Sequence, residues 1–392
     1  MIFSFALILL GGLAASWVSR KLKLPGLLGM ILVGILIGPS VLNLIDSSVL
    51  NISADIRKTA LIVILIRAGL SLDLSDLKKV GRPAVLMCFV PACFEIVGYV
   101  LIAPAMLGMT RLEAAILGSV IAAVSPAVVV PRMIKLIDEG YGTKEAIPQL
   151  ILAGASVDDV FVIVMFTAFT GLEQGGSVSV MSFVNIPLSV IVGIAVGMLV
   201  GYLLTVYFRL VHMRDTLKVL IFLGICFLMV SFENSFGDKV PFASLIAVMF
   251  SGMMIKMKRE KVAVRLSIKF NKLWQCAEVF LFVLLGAAVS IDYIGRAGLA
   301  AVALIFIALI FRMAGVFVCL LGTKLNSKER IFCMTAYTPK ATVQAAIGGM
   351  PLAMGLACGE TVLAAAVIAI MLTAPLGAFF IDLTYRRLLK KE

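Results

Sequence analysis

The chain has 392 residues, 62% hydrophobic and 14% charged, with a mean hydropathy of +1.12 and a formal net charge of +12. A soluble domain is about 45–50% apolar and about 25% charged, so this composition excludes a water-soluble protein and points to a polytopic membrane protein. The single histidine, His212, excludes a multi-histidine zinc site and argues against histidine-based catalysis.

A helix needs about 20 apolar residues to cross about 30 Å of hydrocarbon. Reading runs and breakers predicts about 13 transmembrane helices. The first, 1–19, has no basic stretch before it and no small-residue cleavage site after it, so it reads as a span and not a signal peptide. Runs 24–45, 58–71 and 83–107 follow. Arg67 lies near the end of the third, where it can snorkel, and Glu95 lies mid-span in the fourth. The fifth, 112–134, contains AAVSPAVVVP, with Pro126 mid-span. The sixth, 146–171, contains GASVDDVFVIVM, with Asp158 and Asp159 side by side. Run 182–208 leads to a basic loop holding His212, read as solvated; runs 216–232, 240–256 and 273–291 come next, with Glu278 near an end of the last. The eleventh, 296–321, carries Arg312. The twelfth, 330–354, reads AYTPKATVQAAIGGMP and puts Pro339 and Lys340 mid-span. The thirteenth is 358–385, followed by a short basic tail, 386–392. Cys88, Cys93, Cys226, Cys276, Cys319, Cys333 and Cys358 sit in or beside these runs without a CxxC pair, as small hydrophobes do.

With the N-terminus outside, 26 of the 34 Lys and Arg fall on the cytoplasmic side, five outside and three within spans. This is the positive-inside pattern. It makes the +12 charge a topology signal and not a nucleic-acid one, and it puts the C-terminus in the cytoplasm. No loop is long enough for a soluble domain, so the function lies in the bilayer.

A mid-span proline removes a backbone hydrogen bond and clashes with the preceding turn. In lipid, the freed groups must find partners or line a cavity. The two proline-broken spans are the fifth and the twelfth, and this odd offset means that they cross in opposite directions. The expected fold is therefore an all-α polytopic membrane protein with an inverted repeat: six spans, one linker span and six spans, with two crossed broken helices. That is a transporter pattern, with a midplane site between half-helix ends.

An aspartate at a bilayer centre costs roughly 2.5–3.5 kcal/mol, so two adjacent ones call for an explanation. Neighbours on a helix point about 100° apart. One aspartate can therefore meet a base while the other faces a cavity. Desolvation and a like charge favour a protonated carboxyl, and a nearby cation favours the ionised form. Oxygen ligands suit hard cations. A proton and an alkali cation competing for one carboxylate, opened to one side at a time, already make an antiport mechanism. Arg312 stays charged and is expected to neutralise a carboxylate. Lys340 can in principle lose its proton when buried.

Four stretches, AVSPAVVVP (123–131), YGTKEAIP (141–148), GASVDDV (154–160) and TPKATVQAAIG (338–348), resemble the cation:proton antiporter superfamily, and in particular the NHA branch of Na⁺/H⁺ antiporters. The resemblance covers nearly the whole chain and implies an elevator-type homodimer. In it, a core (roughly 83–171 and 296–385) carries the ion against a dimerisation scaffold (roughly 1–80 and 182–291). It implies Asp159 as principal cation ligand and Asp158 as its neighbour. Ser156 and the backbone near Ser125 and Pro126 are implied co-ligands. Arg312 takes the place of the basic residue that balances the pair, and Glu95 and Lys340 match further charged positions of the branch. Thr338, Pro339 and Gln344 belong to the second broken helix. No cofactor is expected beyond the transported Na⁺ or Li⁺ and H⁺. The partners are those ions (or K⁺), the lipid bilayer and a second copy, with no nucleic acid. The long N-terminal extension of animal members and the long cytoplasmic tails of other branches are absent, so regulation through tails is not implied; the expected location is a prokaryotic plasma (inner) membrane.

Other readings differ in the features they need. A K⁺/H⁺ exchanger or K⁺ efflux transporter shares the fold, and the missing nucleotide-binding tail counts against the regulated efflux kind. A sodium-coupled organic-anion symporter would not need the aspartate pair. A channel fits broken helices and a buried acid pair less well than alternating access does. A membrane enzyme would show HExxH, GxSxG or a usable histidine, and the chain has neither motif.

Overall fold

The computed structural model describes every residue except 23, 72–80, 175–179, 237–241 and 392, and no side chain for 156, 180–187, 234, 236 or 292–297. Lys23, Lys78, Lys79 and Lys239 from the charge count, and the side chains of Ser156 and Arg296, lie outside the described residues.

Among the described residues the chain is helical. In order it forms α1 (Ile2–Lys21), α2 (Gly26–Ile37), α3 (Ser47–Asn51), α4 (Ser53–Ser71), α5 (Arg82–Met87) and α6 (Val90–Leu107). Next come α7 (Arg111–Ile121), α8 (Pro126–Glu139), α9 (Ile147–Gln174), α10 (Val180–Leu210), α11 (Asp215–Phe236) and α12 (Ser244–Lys258). The last are α13 (Glu260–Ala287), α14 (Ile291–Cys319), α15 (Ser327–Ala336), α16 (Thr342–Ile347), α17 (Met350–Ala353) and α18 (Gly359–Leu388). Each expected run holds at least one helix. Nine helical runs among the described residues are long and apolar enough to cross a membrane.

Three runs differ from expectation for local reasons. The run 24–45 is helical only to Ile37, because Gly38 takes an extended conformation before Pro39, where a helix cannot continue. The run 83–107 is interrupted at Cys88 and Phe89, because Pro91 sits in the first turn of a new helix and has no N–H for the preceding turn. The tenth run becomes α13, which starts at Glu260, well before 273. Val262, Leu266, Phe270 and Trp274 recur at helical spacing and are buried, so the basic stretch before 273 is an amphipathic helical extension and not a loop.

The chain divides into two compact units. In the second (55–72 and 170–280), Gly193, Gly197 and Gly201 on α10 meet Ala243, Ala247 and Ser251 at and along the start of α12. Lipid tails are as apolar as leucine, so membrane helices associate by close packing, and a glycine every fourth residue lets two backbones touch. Arg67 and Glu278, both half-buried and within electrostatic reach of each other, belong to this unit. His212 is exposed.

The first unit (1–54, 73–169 and 281–392) contains the two broken helices. There α6 lies along α14, and α18 packs against α14, α15 and α8. The chain's end clamps the far end of α8. The Gly142 N–H donates to the Lys390 carbonyl at 2.9 Å, and the Tyr385 hydroxyl donates to Glu139 Oε2 at 3.1 Å. The Tyr141 and Tyr385 rings meet edge to face with centroids 5.0 Å apart. Arg132 pairs with Asp382 at 3.2 Å. These contacts hold the helix whose other end builds the site.

Candidate ion-binding site at the crossed helix breaks

Both broken spans open with a capping box. Thr110 and Glu113 satisfy each other's backbone N–H at the start of α7, and Asn326 and Glu329 do the same at the start of α15. The first break is 122–125, and α8 resumes at Pro126. Pro126 takes the first helical position, where its missing N–H leaves no bond unmade. It starts a second half-helix and does not kink a continuous one. The second break is 337–341, with Pro339 inside it. The Ser125 N–H donates to the Pro339 carbonyl at 2.8 Å, which joins the two breaks through the backbone.

Side chains from three other helices, and two from the second broken span itself, take up the freed backbone groups. Arg312 of α14 donates Nε to the Tyr337 carbonyl at 2.6 Å and Nη1 to the Ala122 carbonyl. Lys340 Nζ reaches the same Ala122 carbonyl at 3.3 Å. Gln344 Nε2 bridges the Ile121 and Ala123 carbonyls at 2.9 and 2.7 Å. All these acceptors lie at the C-terminal ends of α7 and α15, which carry partial negative charge, so a guanidinium and an ammonium belong there. On the donor side, the Val124 N–H gives its hydrogen to Asp158 Oδ2 at 2.8 Å. Thr373 of α18 accepts from the Lys340 backbone N–H at 2.9 Å.

The charges form a neutral, fully buried quartet. Arg312 pairs with Asp158 at 2.8 Å and with Glu95 at 2.9 Å, and Lys340 pairs with Glu95 at 2.6 Å. All four residues are fully buried, with side chains no more than 1% exposed. Asp159 is placed differently. It stays partly accessible and has no ion pair among the described residues, and its Oδ1 is buried without a hydrogen-bond partner. Asp158 Oδ1, Ser125 Oγ and Thr342 Oγ1 are likewise buried and unpartnered. Unpartnered oxygens are the donor type that hard cations take. Among the described residues no group of three or more His, Cys, Asp and Glu could hold a metal ion, so a cation bound at the aspartates needs neutral oxygens as well.

The remaining expected residues fall as follows. Pro126 and Ser125 are at the first break, and Pro339 and Lys340 are at the second. Gln344 spans from α16 to the first break. Thr338 turns back to the Thr335 carbonyl at 2.9 Å and serves the end of α15. The side chain of Ser156 lies outside the described residues. Sequence reasoning missed Tyr337, Thr373 and the Val124 N–H. Tyr337 directly precedes the TPK motif and was a findable neighbour. Thr373 lies in an apolar run with nothing to mark it.

Gly377 of α18 faces the second break so closely that an added Cβ would overlap Pro339 Cγ. Gly377→Ala is therefore expected to cost about 1–3 kcal/mol through overpacking. Gly224→Ala, where nothing lies within 4 Å, is the control and should be neutral. Thermal midpoints of the two purified variants check this, and equal midpoints would show that the break tolerates displacement.

Long apolar helices, two of them broken around a buried ion quartet, mark an integral membrane protein. A family model described as "Sodium/hydrogen exchanger, transmembrane" matches residues 5–384. The chain is 34% identical over 388 residues to sodium/hydrogen exchanger 9B2 of Homo sapiens, covering 94% of this chain and 70% of the relative. It is 30% identical over 392 residues to sodium/hydrogen exchanger 9B1 of Homo sapiens, covering 94% and 73%. The sodium proton antiporter MjNhaP1 of Methanocaldococcus jannaschii, solved at pH 8, superposes with a TM-score of 0.85 at 20% identity over 98% of this chain and 97% of that one, and so shares the fold. The chain belongs to the sodium/hydrogen exchanger family; it is a secondary cation/proton antiporter and not an enzyme.

Proposed function

We propose that the chain exchanges Na⁺ (or Li⁺) for H⁺ by alternating access, with Asp159 as the carboxylate that binds either ion in turn. The observation that carries this reading is the unequal treatment of the two aspartates. Asp158 is held by Arg312 and by the Val124 N–H. Asp159 has no ion pair among the described residues and an unpartnered oxygen. Arginine does not give up its proton, so Arg312 serves as a fixed counter-charge. Asp159 then takes a proton from one side, and a cation displaces it on the other. Asp158 Oδ1, the Ser125 and Ser156 hydroxyls and the backbone at Ser125 and Pro126 supply the remaining oxygens.

The same reading takes thirteen crossings as two inverted sixes around a linker span, with the N-terminus outside and the C-terminus in the cytoplasm. The matched capping boxes, the breaks in the fifth and twelfth runs and the 26-to-5 charge split support it. We take the core (roughly 83–171 and 296–385) to carry the ion past the scaffold (roughly 1–80 and 182–291) in a homodimer. Both core stretches fall almost wholly within the first compact unit, which also holds 1–54 and 281–291 of the scaffold.

The test is a proteoliposome assay with an internal pH dye. Na⁺, Li⁺ or K⁺ is added outside, first with the potential clamped and then set negative inside. Responses to Na⁺ and Li⁺ are expected. A response to K⁺ alone would replace this reading with a potassium exchanger, and a dependence on potential would assign more than one proton per cation.

A further inference from the structure

The N-terminal half of α13 carries a feature that ion exchange does not use. Lys261, Arg265, Lys269 and Lys272 are all exposed, as is Lys258 at the end of α12 just before it. At 100° per residue the four on α13 fall within an arc of about 80°. Their arc is centred about 120° from that of Val262, Leu266, Phe270 and Trp274, which are buried. Exposed Val264 and Ile268, at 47% and 56%, flank the stripe.

Length places this stripe at the membrane surface. α13 has 28 residues and is about 42 Å long at 1.5 Å per residue, against about 30 Å of hydrocarbon. The end from Val279 to Leu285 is apolar and mostly buried, so the excess of roughly 12 Å, about eight residues from Glu260, falls at the basic end, and Lys269 and Lys272 just below it reach the surface by snorkelling. Two acids lie near. Glu260 is taken by Lys256 at 2.6 Å, and Asp215 pairs with Arg265 at 2.9 Å and with Lys218 at 3.1 Å. No acidic partner is present for Lys258, Lys261, Lys269 or Lys272 among the described residues. Four uncompensated ammonium groups beside exposed aliphatic side chains complement a phosphate headgroup with its acyl chains alongside.

We propose that this stripe is a docking surface for the headgroups of anionic phospholipids in the leaflet around it. Each lysine contributes on the order of a fivefold preference for an anionic over a zwitterionic surface, lost as salt screens it.

The test uses the full chain in neutral detergent, titrated with dioleoylphosphatidylglycerol or dioleoylphosphatidylcholine, with the thermal midpoint as readout. Wild type should respond to phosphatidylglycerol at a concentration about tenfold or more below that needed for phosphatidylcholine. This gap should close between about 50 mM and about 500 mM salt. Lys269→Gln/Lys272→Gln should lose most of the gap, while Lys324→Gln/Lys328→Gln, two exposed lysines elsewhere, keeps it. The proposal is overturned if wild type treats the two lipids alike, or if the stripe variant keeps the full gap. It is also overturned if the stripe variant changes only the oligomeric state, which would make the face a contact between copies. If that double variant fails to fold, the single variants Lys269→Gln and Lys272→Gln take its place, and the proposal is overturned if both keep the full gap.

Discussion

Asp159→Asn abolishes cation-driven proton movement in proteoliposomes and leaves the protein at least as stable as wild type. The two halves of this expectation have separate causes. Transport stops because an amide cannot exchange a proton for a cation. Stability survives because Asp159 makes no ion pair among the described residues, and its Oδ1 is already unpartnered. Replacing a partly buried, uncompensated carboxylate with a neutral isostere removes a desolvation cost. A third readout separates loss of binding from loss of motion. A ligand at about 100 times its Kd stabilises the folded state by about 2.7 kcal/mol, so Na⁺ should raise the wild-type thermal midpoint and leave the variant's unchanged. Exchange at the wild-type rate in Asp159→Asn would remove Asp159 as the carrier. Asp158→Asn should behave differently, because it takes a partner from Arg312 and lowers stability.

Arg312→Ala is expected to lose about 3–5 kcal/mol, as when one partner of a buried ion pair is removed. The guanidinium is the hub of the site. It serves Glu95, Asp158 and the Tyr337 and Ala122 carbonyls from one rigid fork. Without it, Asp158 keeps the Val124 N–H as its hydrogen-bond donor and has no adjacent cation in contact. Arg312→Lys should recover part of the loss, since an ammonium restores the charge but not the planar geometry. Arg312→Ala combined with Asp158→Asn should cost less than the two single changes together, because each removes the other's partner. Thermal unfolding of the four purified variants measures all of this, and an unchanged midpoint in Arg312→Ala would show that Asp158 is neutralised elsewhere.

Much of the fold was legible because it rests on local chemistry. Apolar runs marked the helical segments, and Pro126 and Pro339 marked both breaks. The misread boundaries were also locally encoded. Gly38 and Pro39 stop α2, Pro91 restarts α6, and the spacing of Val262, Leu266, Phe270 and Trp274 carries α13 back to Glu260. The capping boxes at Thr110 and Asn326 were readable as T-x-x-E and N-x-x-E at the start of each broken span. The clamp of the chain's end on Gly142 and Glu139 was not, because it joins residues about 250 positions apart through a carbonyl and a hydroxyl.

The site divides in the same way. That Glu95, Asp158, Asp159, Arg312 and Lys340 lie within apolar runs follows from composition. That the two aspartates face different ways follows from the helical period. Which acid meets which base depends on how α6, α9, α14 and the second break pack, and the ion pairs span 154, 217 and 245 positions of sequence. No local rule reaches that far. Only the tertiary structure gives Arg312 to both Glu95 and Asp158, adds Lys340 to Glu95, and leaves Asp159 without an ion pair, because the direction of a helix face is set by the helices packed around it.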